Sequence, residues 1–294
     1  MTQGLAFEEL RPRLVVLAYR LLGSMTDAED MVQEAFVRWH SVDQDRIEVP
    51  AAWLTRVVTN LCLNTLASAR VQRESYVGPW LPEPVLTGGG VLGPLDTVEQ
   101  RDSVSLGLLM LLERLSPAER AVFVLREAFV YGHAEIAEVL EISEEHSRQL
   151  LARARRHVGD EERRRFVADS AQHRRIVEQF FAAVLGGEVE VLEKLLAADV
   201  IATADGGGTT AARRPIVGLD TVLRYLLGLG RRPEAAAVTA EVAEVNGQAA
   251  VLLRFDGALR AVMSVTVDEG EIIAVHTVIN PAKLAFAATQ AGTV

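Results

Sequence analysis

The sequence is poor in cysteine. Cys62 is the only one among 294 residues, so no internal disulfide can form. It has no companion cysteine and no neighbouring cluster of ligands that would indicate zinc. A small residue packed in a core is a simpler interpretation of Cys62 than a redox sensor. We therefore expect neither a metal nor a cofactor.

Long apolar runs are also missing. Apolar stretches such as 106–112 fall far short of the roughly 20 residues that span a bilayer, and the first residues lack the basic and then apolar pattern of a secretion signal. With 49% hydrophobic and 24% charged residues, the chain has enough apolar material for two or three modest domains. We expect a soluble, cytoplasmic protein.

Positive charge is in deficit. Lysine and arginine number 30 against 40 aspartates and glutamates, which gives a net charge of −10, whereas a protein that binds DNA on its own is usually basic. Any DNA contact must therefore be local or shared with a partner. The arginines do cluster in one segment, which contains Arg148, Arg153, Arg155, Arg156, Arg163, Arg164 and Arg165.

The periodicity of apolar residues divides the chain. Helical spacing dominates to about residue 185, and alternating strand-like runs follow near the C-terminus. Glycines and prolines interrupt the pattern between residues 71 and 101, where neither a helix nor a central strand is expected. The sequence therefore predicts a helical domain at 1–70, an interdomain linker at 71–101, a second helical domain at 102–165 and a mixed domain at 172–294.

The first domain has an amphipathic helix that Thr26 is placed to cap. Its apolar face comprises Ala28, Met31, Val32, Ala35, Phe36 and Trp39, and its polar face Asp27, Asp30, Gln33 and Glu34. Taken alone, that polar face is most simply a solvated acidic surface. A second helix from about residue 51 carries Asn60 and Asn64 outward after the loop Ser41–Pro50. Such a loop and helix could hold an unstacked base, although alone this is a weak signal.

The second domain has the dimensions of a helix-turn-helix. Ser116 is a helix cap followed by Pro117 at the first helical position. A short helix is predicted around Glu135–Leu140, a tight turn at Glu141–Ser143 and a second helix at Glu144–Val158. The inward residues of that second helix are Ser147, Leu150, Leu151, Ala154 and Val158, and the outward ones Glu145, Arg148, Gln149, Ala152 and Arg156.

The outward face of the second helix suits the major groove of DNA. Arginine donates to guanine, glutamine pairs with adenine and glutamate accepts from cytosine, while Arg153, Arg155 and Arg156 are better suited to phosphates, which position a helix without reading sequence. The alternative is a helical hairpin with an arginine-rich, solvated end. The agreement of helix lengths, turn length and polarity favours DNA binding.

These segments resemble a known family. Residues Phe7–His40 and Trp53–Leu66 resemble the first conserved domain of extracytoplasmic-function sigma factors of the sigma-70 family, and Leu115–Val158 the second, although Glu141 stands where such turns often have glycine. The resemblance implies that core RNA polymerase and promoter DNA are the partners. Polymerase contacts would be made by Asp27, Glu29, Asp30, Gln33, Glu34 and Phe36. The loop Ser41–Pro50, with Asn60 and Asn64, would take a flipped base of the start-proximal element, and Glu145, Arg148, Gln149, Arg153, Arg155 and Arg156 would bind the upstream element.

The mixed domain is predicted as helices packed on an antiparallel sheet. Helices are expected at Arg174–Leu185, Val189–Leu196 and Leu219–Leu229. Strands are expected at Val238–Val245, Ala250–Phe255, Leu259–Val267 and Ile272–Val278, separated by the hairpin signals Asn246-Gly247, Asp256-Gly257 and Glu269-Gly270. This pattern resembles the cone-shaped SnoaL-like fold, which a subgroup of these sigma factors carries as an extension. The fold class is therefore two all-α sigma domains followed by an α+β SnoaL-like domain.

Three short strings resemble signatures of that subgroup: WLPEP at Trp80–Pro84, DGGG at Asp205–Gly208 and NPAKL at Asn280–Leu284. We expect intramolecular contact between the C-terminal and sigma domains through Trp80, Leu81, Pro82, Asp205, Gly206, Asn280, Pro281 and Lys283. For Trp80–Pro84 a stiff spacer is a nearly equal interpretation. A tethered domain has a high effective concentration, so even weak contacts can regulate.

The cone fold also hosts enzymes, and this is the rival hypothesis. Asp205 paired with His276 could transfer a proton. The simpler interpretations are that Asp205 is a turn residue before three glycines and that His276 is a core histidine. A fold alone does not license a function. A pocket that binds a small ligand is a further alternative. We expect regulation by contact rather than catalysis.

Overall fold

A computed structural model describes residues 2–74, 76–89, 104–159, 170–208, 211–232 and 237–292, with side chains described from residue 7 to 68 in the first range. It divides into two compact units. The first contains residues 2–74 and 109–159, and the second contains 76–89, 104–108 and the described residues from 170 onward. Arg163, Arg164 and Arg165 lie outside the described residues. No described helix is long and apolar enough to cross a membrane.

The first unit begins with three helices, α1 (Thr2–Leu22), α2 (Met25–Ser41) and α3 (Pro50–Glu74), with a short 3₁₀ turn at Gln44–Arg46 before α3. The cap of α2 is Ser24 rather than Thr26: its hydroxyl accepts a hydrogen bond from the Asp27 amide at 3.1 Å. The reason is local, because Gly23 has a positive φ of 67° that ends α1 and leaves Ser24 extended.

The apolar face predicted for α2 is confirmed, since Ala28, Val32, Ala35 and Trp39 are buried. They pack in a core that also buries Tyr19, Leu54, Val58 and Cys62 completely. Burial raises the pKa of the Cys62 thiol well above its ordinary value, so the group stays protonated and acts as an apolar core residue.

The second half of this unit comprises α4 (Leu106–Leu112, whose first residues belong to the other unit), α5 (Pro117–Glu127), α6 (His133–Leu140) and α7 (Glu144–Val158). The predicted cap at Ser116 is a full capping box with Glu119. Glu141 ends α6 in the left-handed region at φ 55°, the conformation for which glycine is commoner. Ser143 then caps α7. The predicted helix-turn-helix is confirmed, with α6 beginning two residues earlier than expected.

The second unit contains α8 (Ser170–Gly186), α9 (Val189–Leu195), β1 (Leu196–Asp205), β2 (Ile216–Val217), α10 (Leu219–Gly230), β3 (Val238–Val245), β4 (Gln248–Phe255), β5 (Ala258–Asp268), β6 (Glu271–Val278) and α11 (Pro281–Gln290). Strands form a six-stranded sheet in the order β2-β1-β6-β5-β4-β3. Only the β1–β6 pair is parallel among the described strands. The three hairpin turns are confirmed, with left-handed φ at Asn246, Asp256 and Glu269 and at the glycine after each. Strands β1 and β2 and helix α11 were not predicted.

The two faces of the sheet are covered differently. One face packs on α8, α9 and α10 through a core that includes Phe180, Leu192, Val200, Val251 and Val275. Along β1 the side chains alternate, so Thr203 and Asp205 lie on the opposite face, where Lys283 of α11 reaches Asp205.

Residues 71–101 are not a free spacer over their described part. Helix α3 continues to Glu74, and residues 81–85 are buried within the second unit. Leu86 forms an antiparallel bridge with Val245 at the free edge of β3. The prolines keep this segment out of regular structure, and hydrogen bonds to the C-terminal domain replace those of a helix or sheet.

Candidate nucleic-acid interface and linker-binding site

The outward face of α7 has the composition predicted for it. Its exposed residues include Glu145, Arg148, Gln149, Arg153, Arg155 and Arg156, while Ser147, Leu150, Leu151, Ala154 and Val158 are buried. Ser147 stands where an apolar residue is more usual in such helices. Its hydroxyl lies 2.9 Å from His133 Nδ1, which satisfies the buried polar group and joins α6 to α7.

Most arginine side chains of α7 contact carboxylates in the structure. Arg148 lies 2.6 Å from Glu144, Arg155 lies 2.7 Å from Glu127, and Arg153 lies 3.7 Å from Glu119. All three guanidinium groups are about half exposed. Exposed ion pairs are worth little, about 0–1 kcal/mol, so DNA phosphates can replace these carboxylates at small cost.

The start-proximal side of the predicted interface lies on α3. Arg56, Asn60 and Asn64 follow one another at intervals of four residues and so form one row on the helix surface. Asn64 is exposed and Asn60 half-buried. Next to the row is a cleft of about 840 Å³ lined by Arg46, Ile47, Glu48, Val49, Trp53 and Arg56, and by residues of the other helical domain. Asn60 and Asn64 are not part of its lining.

The predicted polymerase surface on α2 is mostly open. Asp27, Asp30, Gln33 and Glu34 are exposed and Glu29 is half-buried, with Glu34 paired to Arg38 at 2.9 Å. Phe36 differs from the others because its ring packs against Phe7 and His40, at centroid distances of 4.9 and 4.2 Å. The predicted set therefore shares a helix, and its polar members are more accessible than the Phe36 ring.

The two helical domains of the first unit pack against each other through residues that sequence reasoning missed. Arg120 on α5 donates to the Leu21 carbonyl oxygen at the end of α1 at 2.6 Å, donates to the Leu112 carbonyl at 2.8 Å, and pairs with Glu113 at 2.6 Å. Burial lowers the pKa of Arg120 to about 9, so it remains charged near neutral pH. The C-terminal end of α1 also stabilises a positive charge such as that of Arg120.

Aromatic residues of the α5–α6 loop extend this contact. The Phe129 ring lies under the guanidinium groups of Arg13 and Arg20, at 5.5 and 5.2 Å, and the Tyr131 hydroxyl lies 3.1 Å from Thr55 Oγ1. Both aromatic residues line the cleft beside α3. The helix-turn-helix domain therefore covers part of the surface predicted for the start-proximal element.

Comparison with known proteins agrees with this architecture. The family model for Sigma-70 region 2 matches residues 6–71, and that for Sigma-70 region 4 matches residues 105–158. The chain is 38% identical to the ECF RNA polymerase sigma factor SigJ of Mycobacterium tuberculosis over 94% of this chain and 91% of that protein. It is 34% identical to the probable ECF RNA polymerase sigma factor SigI of the same species, over 95% and 93%.

A crystal structure of the M. tuberculosis SigJ protein superposes with a TM-score of 0.77 at 38% identity, covering 96% of this chain and 98% of that one. The chain belongs to the extracytoplasmic-function sigma factors. The first unit of this sigma factor therefore holds its regions 2 and 4, and the α+β extension has the fold class predicted from its hairpins.

The extension of this sigma factor encloses a buried carboxylate at the end of β1. Asp205 is fully buried. Its Oδ1 accepts hydrogen bonds from the Tyr76 hydroxyl at 2.5 Å and the Gly207 amide at 3.1 Å. Its Oδ2 accepts from the Leu81 amide at 2.8 Å and from Lys283 Nζ at 2.6 Å. All four acceptor positions of the carboxylate are thus used.

Lys283 joins the linker to this carboxylate. Its ammonium also donates to the Leu81 carbonyl oxygen and lies 4.1 Å from the centre of the Trp80 ring and 5.1 Å from that of Tyr76. A desolvated ammonium is attracted both to a carboxylate and to the faces of aromatic rings. Trp80 therefore contacts a specific cation.

The remaining predicted contact residues lie around this centre, with one exception. Asn280 caps α11 and donates to the Tyr76 hydroxyl at 2.9 Å. It packs so closely on Gly207 that a Cβ there would lie 2.5 Å from the Asn280 side chain. Pro82 and Gly206 are buried. Pro281 is exposed at the first turn of α11, where it starts the helix and has no part in the cluster.

The positions of Asp205 and His276 bear on the hypothesis that these two residues form a catalytic pair. His276 lies opposite Thr203 on β1, and Asp205 is opposite Val278, so the two groups are offset by one side-chain repeat, about 6.6 Å along the strand. The partners of Asp205 are Tyr76, Gly207, Leu81 and Lys283, whereas the near partner of His276 is Thr266, at 3.5 Å. The two side chains are not the hydrogen-bonded acid and base that the alternative requires.

The burial of His276 predicts that the stability of the second unit depends on pH. Burial lowers its pKa from 6.5 to about 4. Between these values the unfolded chain binds the proton more tightly, so the free energy of unfolding falls as pH falls from 6.5 to 4, by about 1.4 kcal/mol per pH unit. We expect the second unit of a His276→Gln variant to lose this part of the slope. Urea unfolding at pH 7, 5.5 and 4.5 measures it, and equal slopes for the two proteins would contradict the prediction.

Proposed function

We propose that this sigma factor contacts promoter DNA through two separate surfaces and core RNA polymerase through a third. The exposed row Glu145, Arg148 and Gln149 on α7 reads the upstream element, with Arg153, Arg155 and Arg156 on its phosphates. The loop before α3, with Asn60 and Asn64, takes the start-proximal element. The polar face of α2 docks on polymerase. The observation that carries this proposal is the exposed polar face on the second helix of a capped helix-turn-helix.

We further propose that the C-terminal domain regulates by contact and is not an enzyme. Two facts support this: Asp205 has every acceptor position occupied, and His276 is buried with a pKa lowered to about 4. A proton donor or acceptor for catalysis must reach its substrate. Asp205 and Lys283 bind Tyr76 and Leu81 of the linker. Through this segment, which connects the sigma regions, the C-terminal domain has a means of acting on them. As a factor that works with polymerase, the protein is assigned to the cytoplasm.

The experiment is transcription by purified core polymerase with the full-length protein, on DNA from upstream of its own gene. Transcripts that require the added protein support the proposal, and failure to bind core polymerase would overturn it. The full chain is the right reagent, because removing the C-terminal domain would uncover Leu81, Val85 and Val104, which are fully buried. Point variants of the full chain test function without exposing this apolar surface.

Two variants of α7 test base reading against phosphate binding. We expect Arg148→Ala to cost about 1–3 kcal/mol of binding on the preferred promoter and to relax preference at one base pair. Arg156→Ala should weaken binding about equally on all sequences and reduce the salt dependence by about one ion. Binding of the polymerase complex to matched promoters at several salt concentrations measures both. Arg174→Ala, an exposed arginine of α8 paired with Glu178, is the control. Identical effects of the two α7 variants would contradict the assignment.

A further inference from the structure

One side chain joins two distant points of the chain. Asn246 is 2% exposed at the first position of the β3–β4 turn. The side-chain Oδ1 of Asn246 accepts a hydrogen bond from the Val85 main-chain amide at 3.1 Å. The main-chain amide of Asn246 donates to the Val85 carbonyl oxygen at 2.9 Å. Its Nδ2 donates to the Val104 carbonyl oxygen at 2.9 Å. We call Asn246 with Val85 and Val104 the Asn246 clasp.

The clasp is buried and supported by its neighbours. Val85 and Val104 are completely buried. The Gln290 side-chain amide holds both the amide and the carbonyl of Leu86, each at 2.9 Å. The Thr87 hydroxyl donates to Glu244 at 2.8 Å and accepts from the Gly247 amide at 3.0 Å. Buried, paired polar groups are costly to separate, so the two points stay together while the linker is bound.

The clasp shortens the connection between regions 2 and 4. Helix α3 ends at Glu74 and α4 begins at Leu106, and a free chain of the intervening 31 residues can extend to about 100 Å. The 18 residues 86–103 lie between the two joined points, so the clasp removes about 60 Å of that reach. At 3.4 Å per base pair, this equals about 18 base pairs of DNA.

We infer that the Asn246 clasp sets the range of spacing between promoter elements that this sigma factor accepts. The inference rests on the proposed function, in which regions 2 and 4 each bind one element. A short tether raises the effective concentration of one region at its element when the other is bound, but only over a narrow range of distances. Asn246 is therefore a positioning residue for promoter choice, far in sequence from both regions.

Matched variants isolate the clasp from the turn that carries it. Asn246→Gly keeps a residue suited to the left-handed φ of 52° and removes both side-chain bonds. Asn246→Asp keeps an acceptor for the Val85 amide but has no donor for the Val104 carbonyl. Asp256→Gly makes the same backbone change at the β4–β5 turn, where Asp256 is exposed and has φ 51°, and serves as the control.

The assay is transcription by core polymerase with full-length protein on a promoter series whose elements are moved closer or apart by one to four base pairs. The readout is the ratio of transcript from an altered spacing to that from the best spacing. Loss of the clasp lengthens the tether from 13 to 31 residues. Because effective concentration falls as about the −3/2 power of tether length, it should fall about fourfold at the best spacing, while the longer tether still reaches the altered spacings. We therefore expect the ratio to rise about fourfold in Asn246→Gly. The wild type and Asp256→Gly should keep the same low ratio. Because both transcripts are made by the same protein sample, their ratio does not depend on the fraction of that protein that is folded.

A second arm tests the bypassed segment directly. Glycine and serine residues inserted between Gly93 and Pro94 lengthen the chain inside residues 86–103. With the clasp intact the insertion should leave the spacing ratio unchanged, and in Asn246→Gly it should raise the ratio further. An unchanged ratio in Asn246→Gly, or an equal shift by the insertion in the wild type, would overturn the inference and leave the sigma-factor function standing. No transcript from the wild type on any spacing would overturn the proposed function and the inference with it.

Discussion

A Lys283→Met variant is expected to lose about 3–5 kcal/mol of the unfolding free energy of the second unit, the usual cost of removing one partner of a buried ion pair. The ammonium is 2.6 Å from Asp205, whose side chain has no exposed surface, so the substitution leaves a carboxylate buried without its counter-charge. It also removes the donor to the Leu81 carbonyl. The linker should then detach, and exchange of the Leu81 amide hydrogen should accelerate.

Lys194→Met on α9 is the matched control, since Lys194 is exposed and the chemical change is identical. Hydrogen exchange and urea unfolding of both proteins measure the difference. Adding Asp205→Asn to Lys283→Met should recover much of the loss, because the uncompensated charge is then gone. A loss in Lys283→Met no larger than that in Lys194→Met would contradict the prediction.

An Arg120→Met variant should destabilise the first unit by a similar amount, about 3–5 kcal/mol. Methionine fills much of the volume but removes the ion pair with Glu113 and the hydrogen bonds that the guanidinium donates to the Leu21 and Leu112 carbonyl oxygens. Arg120→Lys should recover only part, because an ammonium cannot reproduce three contacts made by a planar fork. Since one of these contacts joins region 4 to region 2, the variant should also separate the two regions more readily.

The control for Arg120 is Arg38→Met, which breaks an exposed pair with Glu34 and should cost at most about 1 kcal/mol. Tryptophan fluorescence during urea unfolding follows the first unit in a Trp80→Phe background, because Trp39 and Trp53 both lie in that unit. Equal midpoints for Arg120→Met and Arg38→Met would show that the buried guanidinium is not a principal contact of this interface.

Local sequence signals predicted the elements whose causes are local. The Ser116 capping box, the alternation of buried and exposed residues along α7, and the left-handed turns at Asn246, Asp256 and Glu269 are each determined within a few residues. The cap of α2 shows the limit of such reasoning. Ser24 and Thr26 are both suitable caps by residue type, and the choice depends on where Gly23 ends the preceding helix.

Features that depend on distant partners were not accessible in the same way. Strand β1 is rich in alanine and pairs in parallel with β6, so it carries little of the β-branched pattern by which strands are recognised. Asp205 has the local sequence of a turn residue, and its burial depends on Lys283, 78 residues away. Tyr76 and Gln290 bond partners more than 120 residues away. Nothing near either residue in the sequence indicates these roles.

The bridge between Leu86 and Val245 has a consequence for the detached state of the linker. β3 is the last strand of its sheet, and the linker occupies part of its outer side. There the Thr87 amide donates to the Glu244 carbonyl oxygen, and the Asn246 amide donates to the Val85 carbonyl oxygen. An unpaired strand edge is a template for pairing with another chain. Release of the linker would therefore expose this part of the strand edge, and we expect such an exposed edge to favour association between molecules.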